Sequence, residues 1–213
     1  MAQKTKATVL IVFLTLGWSL TGHTAETLRA DQLKRLESGE PVVIPIDLGD
    51  KPGQEFEMYG LIPATPEYVY KSIVCLEDYP KFMPNMEAID ILSRDANSLL
   101  VNYHLALPMG QSKKYRLKIT HSKQGSEYRL DWVQVAWPEI SESDSIKDTQ
   151  GYWHLRADPR FPGKTFVHYR VYTDPGSIPF GFGWIVDVLT RLSLPGVLES
   201  TSAWTQEKKV SCR

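Results

Sequence analysis

Along most of this chain, apolar residues fall at alternate positions, the signature of half-buried strands; helical spacing takes over at three places. Val42 to Ile46 and Phe56 to Ile62 read as strands, separated by the turn formers Gly49, Asp50, Pro52 and Gly53. Ile89 and Ile91, then Leu99 to Leu107, Tyr115 to Ile119, Tyr128 to Trp132, Gly151 to Leu155 and Thr165 to Thr173 continue the period of two as an antiparallel meander. A polar loop, Glu139 to Thr149, interrupts it. The first helical stretch, Asp31 to Ser38, turns Leu33 and Leu36 inward and stops at Gly39. The second, Ala64 to Pro84, reads as two short helices back to back. Thr65 suits an N-cap, Pro66 the first helical position and Glu67 the positive end of the helix dipole. Val69, Ile73 and Leu76 form its apolar stripe, Asp78 opens the second helix, and Pro84 ends it. The third, Ile178 to Val210, carries Trp184, Val188, Leu189 and Leu192 on one face. Pro195 breaks or kinks it, and Val197, Leu198, Thr201 and Trp204 resume the stripe.

Strand, helix pair, meander and long closing helix predict an α+β helix-grip: a curved antiparallel sheet wrapped around a long C-terminal helix. If the last hairpin turns near Phe161, Trp153 faces Tyr169, Leu155 faces Val167, and His154 faces His168 on the opposite side. A strongly bent sheet closes imperfectly on a helix, leaving an apolar cavity suited to a lipophilic ligand. Strand parity turns Val101, Tyr103, Leu105, Tyr115 and Leu117 inward, with Leu130, Trp132, Trp153, Val167 and Tyr169. Trp184, Val188 and Leu192 complete the candidate ligand-binding set from the last helix. Most of these must be plain core. Tyr103, Tyr115 and Tyr169 are the polar candidates, because a buried hydroxyl needs a partner that a ligand oxygen could supply.

With 213 residues, 42% of them hydrophobic, the chain makes one sizeable globular domain. Residues 1–25 read as a secretory signal: Lys4 and Lys6, an apolar run from Ala7 to Leu16, then small and polar residues ending at Ala25. An uncleaved anchor is the alternative, since His23 is a poor residue for a cleavage site. This predicts a periplasmic or secreted protein. Residues 26–48 then form an N-terminal helix-and-strand extension, and residues 49–213 the main domain. A formal net charge of −1, or −3 once Lys4 and Lys6 are removed, provides no field to recruit nucleic acid. The basic run Lys113, Lys114, Arg116 and Lys118 reads as the wet face of a strand. Cys75 and Cys212 could pair in an oxidising compartment; a buried thiol and a frayed-tail thiol are the expectation.

The chain resembles the START-related superfamily, which includes polyketide cyclases, coenzyme Q-binding START-like proteins and lipid-transfer domains. The residues that carry the resemblance are Pro66-Glu67-Tyr68-Val69-Tyr70, Asp78-Tyr79-Pro80-Lys81-Phe82-Met83-Pro84, Gly151-Tyr152-Trp153-His154-Leu155 and Tyr169 to Pro175, followed by Pro179. The resemblance spans about Gly39 to Lys209. It implies a helix-grip fold with a hydrophobic pocket and, in many members, no catalysis.

Catalytic signatures are sparse. There is no Gly-x-Ser-x-Gly, no HExxH and no Ser, His and Asp cluster on one inner face. His154 and His168, expected on the wet face, are too few for a metal site. The run Phe180-Gly181-Phe182-Gly183-Trp184 either plugs the end of the core or forms a lip that admits ligand or touches a membrane transiently. The sequence therefore predicts an exported carrier or sensor of a lipid- or quinone-like molecule, needing no cofactor. Its competitors are a cyclase- or dehydratase-like enzyme using pocket tyrosines, and an interaction module without a usable cavity.

Overall fold

The structure, a computed structural model, describes residues 28–176, 193–207 and 212. Helix α1 (Ala30–Glu37) leads into strands β1 (Val42–Ile46) and β2 (Gln54–Ile62). Helix α2 (Pro66–Val74), a 3₁₀ turn over Leu76–Asp78 and helix α3 (Tyr79–Phe82) carry the chain across to the other side of the sheet. The meander follows as β3 (Met86–Arg94), β4 (Ser98–Leu107), β5 (Gln111–Gln124), β6 (Glu127–Val135), β7 (Asp148–Ala157) and β8 (Thr165–Asp174), before helix α4 (Ser193–Gln206). All eight strands form one curved antiparallel sheet in the order β1-β2-β8-β7-β6-β5-β4-β3. The helix pair between β2 and β3 is thus the crossover from β2, beside β8, to the far edge strand β3. The architecture is the α+β helix-grip.

Local chemistry accounts for the crossover. Thr65 is the N-cap of α2 and accepts the first backbone bonds from Tyr68 and Val69, though its hydroxyl makes no capping bond. Val69, Ile73 and Leu76 are fully buried against the sheet. Tyr79 donates to the Ile73 carbonyl at 2.7 Å, folding the 3₁₀ turn and α3 back on α2. Helix α4 lies against α2, α3 and β2 with Leu194, Leu198, Thr201 and Thr205 buried. Thr205 donates to Ser72 of α2 at 2.9 Å, and Trp204 stacks on Phe82 with ring centroids 5.1 Å apart. The helix approaches β2 so closely that a side chain on Gly60 would collide with Leu198.

The last hairpin has the expected register: Trp153 opposite Tyr169, Leu155 opposite Val167, His154 opposite His168. The convex face, however, is not simply wet. Leu28, Leu36, Val42, Tyr59, Phe161 and Phe166 form a second core there, with α1 over β1 and β2. His168 is accordingly half-buried, stacked on Tyr59 at 4.5 Å and beside the buried Glu57, not a surface residue. His154 does sit nearer solvent, paired with Glu127 at 2.8 Å.

Two further expectations fail. Cys75 and Cys212 form a disulfide, joining residues 137 positions apart. Cys212 sits at the end of α2, so a residue next to the terminus meets a buried helix end. Lys113 is buried instead of wet, because it shares parity with Tyr115 and Leu117. Its ammonium donates to the carbonyls of Ser143 and Ser145 at 2.8 and 2.9 Å, pinning the 139–147 loop over the end of the sheet. Burial lowers its pKa.

Candidate functional site

A partly open cavity of about 160 Å³ lies between strands β4 to β8 and α4. Its floor is aromatic. Trp132 faces Gly151 across the β6–β7 pair, and its indole lies so close over that glycine that a Cβ there would overlap the ring and the Arg170 carbonyl. Gly151 thereby lets the ring lie flat along the sheet. Tyr169 packs against Trp132 at 5.4 Å and, edge-on, against Trp153 at 4.6 Å. On the far wall, Tyr103 and Tyr115 are cross-strand partners whose rings stack at 5.4 Å.

Eight of the ten inward strand residues named from parity line this space: Tyr103, Leu105, Tyr115 and Leu117 on β4 and β5, and Leu130, Trp132, Trp153 and Tyr169 on β6 to β8. Val101 and Val167 are fully buried in the main core and do not reach it. Trp184, Val188 and Leu192, like the Phe180–Trp184 run and the 1–25 leader, lie outside the described residues.

The rest of the wall was not among those candidates. Tyr79, Met83, Pro84 and Asn85 come from α3 and the turn after it, Met86 opens β3, and Ser193 and Val197 belong to α4. Ile146 enters from the polar loop, whereas Ile119 on β5, Thr149 on β7 and Val171 and Thr173 on β8 share the inward parity. Helices and loops have no period of two, so only the Asp-Tyr-Pro-x-Phe-Met-Pro segment could have flagged the first group.

Among the described residues, no charged side chain lines the cavity. Its polar groups are hydroxyls and one amide. Burial raises the pKa of Tyr103, Tyr115 and Tyr169, as it does that of Tyr79; the phenol groups lie near enough to add to one another's shift. All four are therefore neutral hydrogen-bond donors at physiological pH, not bases. The Tyr79 hydroxyl is committed to Ile73. Those of Tyr103, Tyr115 and Tyr169 have no hydrogen-bond partner among the described residues.

One other cluster has metal-binding atoms within reach of each other: Cys75, Asp78 and Cys212. Both sulfurs are spent on the disulfide and Asp78 pairs with Lys81 at 2.6 Å, so the group is structural as it stands.

No protein-family model matches the chain, and no curated protein does. Solved structures do. A STAR-related lipid transfer protein from Xanthomonas axonopodis is 18% identical with a TM-score of 0.64, over 78% of this chain and 93% of that one. Human StAR-related lipid transfer protein 5 is 15% identical with a TM-score of 0.65, over 80% and 83%. The Zhui aromatase/cyclase from Streptomyces sp. R1128 is 11% identical with a TM-score of 0.59, over 72% and 94%. At such identities the likeness is one of fold, and the chain has the START-like helix-grip.

Proposed function

We propose that the chain is an exported single-domain carrier or sensor of a lipophilic small molecule, held between the curved sheet and α4. The observation that carries this reading is the uncharged, aromatic-lined cavity inside a START-like fold. Transfer of apolar ligand surface out of water supplies the affinity, at about 25 cal/mol per Å². Tyr103, Leu105, Tyr115, Leu117, Leu130, Trp132, Trp153 and Tyr169 are the contact residues of this proposal. Lipid transfer, named for two of the similar structures, is consistent with such a cavity. Export is supported by the layout of residues 1–25 and by the Cys75–Cys212 bond, which persists in oxidising compartments.

Organic extraction of the protein purified from its native compartment, followed by mass spectrometry, tests the reading. A near-stoichiometric lipophilic compound is the expected result. Protein that carries none, and binds no neutral apolar dye saturably, contradicts it.

The aromatase/cyclase likeness keeps an enzymatic reading in view, with pocket tyrosines moving protons. Their raised pKa values favour proton donors and weigh against proton abstraction. Turnover abolished in Tyr→Phe variants that still bind ligand would select the enzyme over the carrier.

A further inference from the structure

We infer that the cavity takes an uncharged, ring-bearing molecule with at least one hydrogen-bond-accepting oxygen, which the hydroxyls of Tyr103, Tyr115 and Tyr169 engage. This deepens the ligand-binding reading above and rests on it.

Size comes first. A dry cavity of roughly 150 Å³ suffices for benzene. The 160 Å³ here, partly open to the outside, thus has room for at least one such ring. Lining agrees, since the stacked pair Tyr103–Tyr115 and the tilted pair Trp132–Tyr169 give the wall an aromatic surface.

Charge comes second. A carboxylate or phosphate moved into this space would lose its hydration and meet no cation among the described residues, a cost of several kcal/mol. Lys113 is buried at this end of the sheet, but its ammonium is committed to two loop carbonyls and does not line the cavity.

Polarity comes third. Three phenols in a largely apolar wall, with no partner among the described residues, are donors waiting for an acceptor. Leaving such a donor unsatisfied beneath a hydrocarbon costs about 1–3 kcal/mol. A pure hydrocarbon therefore fits the shape and wastes the hydroxyls, whereas a ketone, ester or ether satisfies them.

The experiment compares three molecules of similar size, 1-tetralone, tetralin and 1-naphthoate, by calorimetry on the full-length mature chain after organic stripping. Tetralone is expected to bind at least about fivefold more tightly than tetralin, and 1-naphthoate at least about tenfold more weakly than tetralone at pH 7.5. The combined Tyr103→Phe, Tyr115→Phe and Tyr169→Phe variant should erase the tetralone advantage and bind tetralin more tightly than wild type does, since no donor is then left unsatisfied beneath the hydrocarbon. These hydroxyls bond nothing else described, so the melting temperature should hold. If the combined variant does not fold, the single variants carry the test, and at least one must lose the advantage. Equal binding of tetralin and tetralone, or of naphthoate and tetralone, overturns the inference and leaves the carrier reading standing. Failure of all three probes overturns both.

Discussion

Removing the Cys75–Cys212 bond with Cys212→Ser gives the sharpest test of how α4 is held. The cross-link spans 137 positions, from the end of α2 past α4. In the chain-entropy description, closing a loop of that size restricts the unfolded ensemble by about 5 kcal/mol. Measured values run lower, at about 2–4 kcal/mol, because unfolded chains keep some structure. Cys212 is the position to change, since Cys75 is fully buried and a hydroxyl there would add a desolvation cost of its own. The expected loss is about 3 kcal/mol, which at a urea slope of about 2 kcal/mol/M lowers the unfolding midpoint by about 1.5 M. Wild-type protein treated with a dithiol reductant should follow the variant. A midpoint within about 0.3 M of wild type, or two titratable thiols in protein collected from an oxidising compartment, would refute the reasoning.

Two further outcomes follow from the sheet. Gly151→Ala forces a methyl group against both the Arg170 carbonyl and the Trp132 ring, and the backbone atom cannot swing aside. We expect a loss of about 3 kcal/mol in chemical denaturation, with altered tryptophan fluorescence from the cavity floor. Asp158, 3% exposed at its side chain, is held below the usual carboxylate pKa first by Arg160 and then by Arg156. A folded-state pKa below the unfolded 3.8 means stabilisation that is complete above that pH and fades as pH falls through the folded value. Asp158→Asn should cost about 2 kcal/mol at pH 7, discounted for the two half-exposed guanidinium groups, and the gap should narrow below about pH 4. A gap that stays constant from pH 7 to pH 2.5 would exclude this ion-pair origin.

What was legible in the sequence is what period alone controls. Alternation located the strands, and Phe161 at the turn located the register that sets Trp153 beside Tyr169. Alternation also placed eight cavity residues, because a bent sheet has one concave face and parity selects it. It could not separate Val101 and Val167, which pack into the main core, from Tyr103 and Tyr169 at the hollow; parity reports a face, not depth along a strand. The convex face misled for a different reason. Glu57, Tyr59 and Leu61 share one face of β2, opposite Phe56 and Met58, and only the position of α1 in space reveals that this side also carries apolar cover. Lys113 was the one misreading that parity itself could have corrected, since it falls in step with Tyr115.

The disulfide shows where sequence separation ceases to be informative. Neither cysteine has a nearby partner, and Cys75 ends an apolar helix where a free thiol would be unremarkable. The pairing depends on the return of the chain after α4, which follows from Thr205 bonding Ser72 and Trp204 stacking on Phe82. Those two contacts align the C-terminal end of α4 with the helix pair, and the Cys75–Cys212 bond then fixes that end covalently. Ser193 and Val197, at the other end of α4, line the cavity instead. The helix is thus anchored away from the hollow it covers. On the proposed carrier reading, ligand exchange at the cavity end needs no opening of the disulfide, and Cys212→Ser should lower stability far more than it changes the affinity for 1-tetralone.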